Sequence, residues 1–294
     1  MKKHRKWLGY VLYGLLLSAA LLYYLFPSDA LRDYLQASVE GVDPRLSLSI
    51  EKLSPSFNAG VKLLKAELSH RELPGGVLFR AERLLIRPKI WSLLRGKRTF
   101  LFRAFAHKGE LKGYAEFAEN SLAGPFTLSL QLRDIQIEEL EDLRDLLGRR
   151  VQGGLSGTVS LSGKYDALID GHGEADLRLA KGSVELLEPI LGLQSVEFED
   201  LWVKVLLKNR KMELAQAALR GPNMTGRLTG TVVLREEFSK SRLDLKGTIE
   251  PLGDLYRTLA GRSSGMKFLT QRLKGGKLSF VIQGAIERPR IRFI

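Results

Sequence analysis

Hydrophobic and polar residues alternate along most of the chain with a period of two. Leu46, Leu48 and Ile50 alternate with serine and glutamate, and the same pattern recurs in later segments. In those later segments, the apolar residues of the pattern include Leu128, Leu130, Val159, Leu177, Leu245, Phe280 and Ile282. Because successive side chains of a strand point to opposite faces, these segments are predicted to be half-buried strands. We therefore expect a mainly β fold with these residues on its apolar face.

Glycine and proline separate most of the predicted strands. Turns are predicted at residues 74–76 (Pro-Gly-Gly), at Gly153–Gly154, at 171–173 (Gly-His-Gly) and at Gly275–Gly276. These residue types permit the positive φ angles of hairpins, so the sheet is expected to be antiparallel. The spacing of leucines also predicts two short helices, over 137–147 and over 252–259 after Pro251.

The predicted apolar face requires a cover. It can pack against a second sheet or against helices, or it can hold a lipid tail in an open groove. The alternating residues named above are therefore candidates either for a core or for an apolar groove. The sequence pattern is the same in each case.

Residues 7–27 form an apolar segment in which tyrosine is the only ionisable residue type. About 20 helical residues cross a hydrocarbon core of about 30 Å, so a transmembrane helix is predicted. Its anchoring residues are Trp7, Tyr10, Leu15, Leu22, Tyr23 and Phe26. Lys2, Lys3, Arg5 and Lys6 precede it, and the positive-inside rule therefore places residues 1–6 in the cytoplasm.

The rest of the chain is predicted to lie across the membrane. Asp29 caps a linker helix over 28–43, and a β-rich domain follows over 44–294, with a possible internal boundary near 148–153. The alternative to a retained helix is a cleaved signal peptide, because residues 18–20 (Ser-Ala-Ala) suit a cleavage site. The apolar run continues through residues 21–26, which favours the retained helix. Both interpretations export the β domain.

Composition argues against several kinds of chemistry. The 294 residues include no cysteine, which excludes disulfides, thiolate metal ligands and cysteine nucleophiles. The histidines are too widely separated for a zinc motif: His4, His70, His107 and His172. The sequence contains neither a phosphate loop ending in GK[ST] nor a G-x-S-x-G nucleophile elbow. We therefore predict a protein without catalytic residues, metal or cofactor.

The net charge of +13 favours anionic neighbours. One basic stretch also carries an aromatic residue, and its members are Arg87, Trp91, Arg95, Lys97 and Arg98. This stretch is interpreted either as a solvated outer face or as a contact with an anionic membrane surface or partner. Export from the cytoplasm excludes a nucleic-acid partner.

Three segments together resemble the AsmA-like superfamily of bacterial envelope proteins, and within it the type II secretion system protein N family. They are the strand Leu46–Leu53 after its anchor, the corner Leu85–Lys97, and the closing strand Leu278–Ile291 with its Pro289. Residues 120–270 are similar only in their strands and glycines.

This resemblance implies a curved antiparallel sheet in the periplasm, held by an inner-membrane helix. It implies a non-enzymatic accessory or scaffold role in type II secretion, with other secretion-system envelope proteins as partners. The alternative is an AsmA-like protein that binds or transfers lipid between the two membranes. The direction in which the alternating leucines point distinguishes the two roles.

Overall fold

The structure is a computed structural model. It describes residues 24–56, 60–71, 76–93, 96–118, 124–140, 150–190, 193–253 and 275–294, together with residues 10, 13, 14, 17, 18 and 21. Of the six predicted anchoring residues, only Tyr10 and Phe26 are among them. Trp7, Leu15, Leu22, Tyr23 and the basic residues Lys2, Lys3, Arg5 and Lys6 lie outside the described residues. In the described ranges, no helix has both the length and the hydropathy needed to cross a bilayer.

The described residues include fourteen strands and two α-helices whose bounds are defined. Helix α1 is Ser28–Val42 and helix α2 is Ile90–Leu93. The strands of the first half are β1 (Leu46–Ser56), β2 (Gly60–His70), β3 (Val77–Pro88), β4 (Arg98–Ala106), β5 (Gly109–Phe117), β6 (Phe126–Gln136) and β7 (Val151–Gly163). Those of the second half are β8 (His172–Ile190), β9 (Leu193–Lys208), β10 (Lys211–Arg220), β11 (Met224–Val233), β12 (Arg242–Pro251), β13 (Leu278–Ala285) and β14 (Arg288–Phe293).

All fourteen strands form one sheet in which each pairs with its neighbours in the chain, from β1 at one edge to β14 at the other. Every pair is antiparallel. The predictions of a mainly β fold and of an antiparallel sheet are thus confirmed. Across the possible boundary near 148–153, β7 pairs directly with β6, so the sheet continues without a break.

The register places the alternating apolar residues on one face of the sheet. Leu130 on β6 lies opposite Val159 on β7, and Leu245 on β12 lies opposite Ile282 on β13. Directly opposed residues of an antiparallel pair project to the same side. The apolar residues of successive strands therefore form one continuous surface, with the serines, threonines and charged residues on the other side.

Helix α1 covers one end of this surface. Its Leu31 and Leu35, with Phe26 before it, pack against a core of Ile50, Leu53, Leu63 and Ala66 on β1 and β2. The Gln36 side chain donates a hydrogen bond from Nε2 to the backbone carbonyl of Leu48 (2.9 Å). Complete burial of a leucine such as Leu63, which is 1% exposed, stabilises the fold by about 1.5–3 kcal/mol.

The sheet is strongly curved, as one hydrogen bond shows. Tyr165 follows β7, yet its hydroxyl donates to Oδ2 of Asp43, which precedes β1 (3.1 Å). In a flat sheet, six strand spacings of about 4.8 Å would separate these strands by roughly 29 Å. Curvature brings the two side chains together across the sheet.

Two predicted turns are wrong, because residues assigned to them lie within strands. Gly153 and Gly154 belong to β7, and His172 is the first residue of β8 rather than the tip of a turn. Gly153 has a φ of +131° at a register shift between β7 and β8, so its conformational freedom serves a bulge. Gly275 and Gly276 do form a turn, before β13.

The predicted short helices are described only in part. Ile137–Glu139 form a single 3-10 turn, and the remainder of that prediction, 141–147, lies outside the described residues. Pro251 ends β12, and residues 254–259 of the second predicted helix are likewise outside the description. Two further 3-10 turns occupy Tyr165–Asp170 and Phe238–Lys240.

Candidate functional site: an apolar trough

The concave side of the sheet beyond helix α1 forms the candidate site, which we name the apolar trough. It is formed by Leu128, Leu130, Val159, Leu177, Leu245, Phe280 and Ile282, all predicted from the sequence. Leu245 is buried in a cluster with Val232 and Leu234, whereas the other six are only half-buried. The other three predicted apolar positions lie on β1, outside the trough. Leu46 and Ile50 are buried, and Leu48 packs beneath α1.

A cavity marks the C-terminal end of the trough. Its volume is about 330 Å³. Its lining is entirely apolar and draws on every strand from β8 to β14: Val184, Val196, Leu219, Met224, Gly226, Ile249, Phe280, Ile282, Ile291 and Phe293. Six strand spacings of about 4.8 Å separate β8 from β14, so only a curved sheet can bring them to a single cavity.

Glycines on the trough face make room for large neighbours. A β-carbon at Gly247 would lie 2.4 Å from Cζ of Phe280, and one at Gly113 would lie 2.8 Å from Cζ of Phe102. The rings therefore lie across the adjacent glycines. Side chains crowd on the concave side of a bent sheet, and glycine relieves this crowding. The glycines that punctuate the sequence thus shape the trough.

The basic stretch predicted as an anionic contact surrounds helix α2. Trp91 is 76% exposed, and Arg87 and Arg98 are exposed at the ends of β3 and β4. Lys97 donates a hydrogen bond to Oε1 of Glu116 (2.8 Å), and this bond lowers the pKa of the Glu116 carboxyl. Arg95 lies outside the described residues. The described members thus lie before and after one exposed tryptophan in the chain.

A buried polar contact that the sequence analysis missed joins the N-terminal helix to β7. Asp43 accepts hydrogen bonds from Nε and Nη2 of Arg45 and from the Tyr165 hydroxyl. The Arg45 guanidinium holds the pKa of Asp43 well below its usual range. Burial, and then the hydrogen bond to Asp43, raise the pKa of Tyr165. The sequence shows an aspartate and a proline at the end of the predicted linker helix. Nothing near them in the sequence identifies Tyr165, 122 residues away, as the partner of Asp43.

The opposite face of the sheet carries exposed ion pairs and no candidate metal centre. Arg178 pairs with Asp200 at 2.7 Å, and the Trp202 indole donates to Asp176 at 2.5 Å. Within the described part of the chain, no group of three or more metal-ligating side chains comes together. The convex face is therefore a solvated polar surface, in contrast to the trough.

Comparison with protein-family models, with curated proteins and with solved structures gives no match. The fold and the site define a class of architecture: a single curved antiparallel sheet with an apolar concave face.

Proposed function

We propose that this is an envelope protein, held in the inner membrane by residues 7–27, whose apolar trough binds the acyl chains of lipids. The observation that carries the proposal is the continuous apolar face, in which Leu128, Leu130, Val159 and Leu177 stay half-buried. Helix α1 packs at the β1 end. In terms of the family that the sequence resembles, we propose an AsmA-like lipid carrier.

The physical argument concerns the cost of hydrating this face. Each Å² of apolar surface removed from water contributes roughly 25 cal/mol, so an apolar ligand gains affinity along the whole trough. From β6 to β14 the face spans eight strand spacings, or roughly 38 Å along the sheet. One leaflet of a bilayer has a hydrocarbon depth of about 15 Å, so the trough is long enough for an extended acyl chain.

The position of helix α1 supports the proposal that one end of the sheet faces the membrane. Phe26, just before α1, packs against the same buried cluster as Val61 and Ile86, which lie where β2 begins and β3 nears its end. The Trp91 turn follows β3 at this same end of the sheet. An exposed tryptophan among arginine and lysine side chains suits a lipid headgroup boundary. The proposed anchor and the basic turn therefore face the same membrane.

Photo-crosslinking from the two faces of one strand tests lipid binding. A benzoylphenylalanine at Leu130 faces the trough, and a matched probe at the adjacent Ser129 faces the polar side. After irradiation in the native envelope, mass spectrometry should find phospholipid attached at position 130 and not at 129. Equal labelling at both positions, or none at position 130, would contradict the proposal.

The absence of cysteine makes the native chain a ready background for testing topology. A cysteine at Ser129 should react with a membrane-impermeant maleimide added to the periplasm of intact cells. A cysteine at His4 should react only after the cells are broken. Labelling of position 4 in intact cells would reverse the proposed orientation.

The second candidate function is the accessory role in type II secretion. Its support is the similarity of Leu46–Leu53, Leu85–Lys97 and Leu278–Ile291 to the secretion family, together with sheet edges at β1 and β14 that can pair with a partner. Crosslinking in the envelope distinguishes the two functions. Covalent attachment to secretion components without lipid favours the scaffold, whereas stoichiometric lipid without such components favours the carrier.

A further inference from the structure

Strand β14 forms one edge of the sheet, and its outward hydrogen-bonding groups can be assigned. Within the described chain, β13 is its only neighbour. The amide of Ile294 bonds to the carbonyl of Ser279, and in an antiparallel ladder alternate residues bond to the same neighbour. Arg288, Arg290 and Arg292 therefore bond to β13. Ile291 directs its N–H and C=O away from the sheet, and Pro289 directs a C=O.

The same three arginines line the polar face of this edge. Their partners across β13 are Ala285, Gln283 and Val281, none of which is acidic. None of the three arginines forms an ion pair with a carboxylate of the described residues, and all three are exposed. One strand further in, Arg242, Asp244 and Lys246 are exposed at the positions opposite Ala285, Gln283 and Val281, and the Gln283 amide donates a hydrogen bond to Asp244 (3.0 Å). The edge thus carries a positive row on one face and an apolar row, with Ile291, on the other.

We propose that β14 binds an extended segment of a partner protein in which carboxylate and apolar residues alternate. The segment adds a fifteenth strand by bonding to the outward groups of Ile291 and Pro289. Its carboxylates lie beside the three arginines, and its apolar side chains extend the trough face. Opposite charges in directly opposed cross-strand pairs stabilise the pairing. This inference does not depend on whether the trough holds lipid.

The charge pattern argues against a second copy of this chain as the occupant. Antiparallel pairing of two β14 strands about Arg290 would place Arg288 opposite Arg292 and Arg290 opposite itself. Like charges directly opposed are destabilising. Pairing with β1 of another copy would offer Ser47, Ser49 and Glu51 on its polar side, a single carboxylate for three arginines. Arginine on an edge strand thus prevents self-pairing and selects an acidic strand.

Binding of a designed peptide to the full-length protein tests the proposal. The probe is a fluorescein-labelled heptapeptide in which valine and glutamate alternate. Its binding is measured by fluorescence anisotropy in mild detergent. We expect Arg290→Glu to weaken binding roughly tenfold, because cross-strand attraction becomes repulsion. The charge-matched change Lys211→Glu, at the first residue of β10, should leave binding unchanged. The same peptide with its glutamates grouped at one end should bind far more weakly.

A second variant separates strand addition from general attraction between charges. Ile291→Pro removes the outward N–H without altering charge, and an edge strand tolerates proline. It should abolish peptide binding while the circular dichroism spectrum stays unchanged. In the wild-type protein, the peptide should also slow hydrogen exchange at the Ile291 amide. Unchanged affinity in Ile291→Pro, equal binding of the grouped peptide, or unaltered exchange at Ile291 would overturn the proposal.

Discussion

Two regions of the apolar face, its β1 end and its middle, differ in what covers them. At the β1 end, helix α1 packs over Ile50, Leu53 and Leu63, which are at most 5% exposed. In the middle of the sheet, Leu130 and Val159 belong to strands of the same alternating pattern but remain half-buried. The difference follows from the neighbouring element and not from the strands. The same pattern of residues thus forms a closed core in one region and a trough in the other.

The largest effect is expected where the face is covered. Leu63→Ala should lower the free energy of unfolding by about 2–5 kcal/mol, because a cavity would remain under helix α1. Urea unfolding followed by circular dichroism measures this loss. A loss below about 1 kcal/mol would show that α1 does not close this end of the sheet.

A smaller effect is expected from filling the space on the trough face. Gly247→Val should lower the free energy of unfolding by about 1–3 kcal/mol, since the new side chain would collide with the Phe280 ring. Gly253→Val is the control for a glycine with open space around its β-carbon, although its positive φ adds strain of its own. Gly247→Val/Phe280→Ala should then be more stable than Gly247→Val alone, as urea unfolding can show.

The hydrogen bonds that Asp43 accepts from Arg45, and to a smaller extent from Tyr165, should make stability depend on pH. Because the pKa of Asp43 is lowered in the folded state, its contribution is full above the unfolded pKa of about 4. This contribution is lost as pH falls further toward the folded pKa. Asp43→Asn should therefore lower Tm at pH 7, and the difference from the wild type should shrink below pH 4. A difference that is constant with pH would contradict this role.

In the open trough, truncation should have little effect on stability. Leu130→Ala should lower the free energy of unfolding by about 1 kcal/mol, because the side chain is already half-exposed to solvent. Its effect on lipid recovered after purification should be larger than that of Leu63→Ala, once both are normalised to folded protein. A loss of stability as large as that of Leu63→Ala would show that the trough is closed.

The smallest effect is expected at the surface ion pair near helix α2. Lys97→Ala should change the free energy of unfolding by at most about 1 kcal/mol, since exposed pairs contribute little. Trp91→Ala should also leave stability unchanged, because its side chain is exposed. Both changes should weaken binding to vesicles containing anionic lipid, measured by co-sedimentation, if this turn contacts the membrane.

Local patterns predicted the strands well where alternation was strong. Runs such as Leu128–Leu132 and Leu278–Ile282 are strands with the expected faces. The pattern failed at Gly153 and Gly154, because glycine suits a bulge within a strand as well as it suits a turn. The same ambiguity applies to His172, which its neighbouring glycines predict at the tip of a turn and which begins β8. In both places, pairing with neighbouring strands decided the conformation.

By itself, the sequence determined the class of fold, the antiparallel pairing and the identity of the apolar face, since these depend on a period of two and on turn residues. It also determined the basic character of the stretch around Trp91. Only the tertiary structure decided which part of the apolar face is covered, how the sheet curves, and that Asp43 meets Tyr165. These depend on contacts between residues far apart in the chain, which no local pattern encodes.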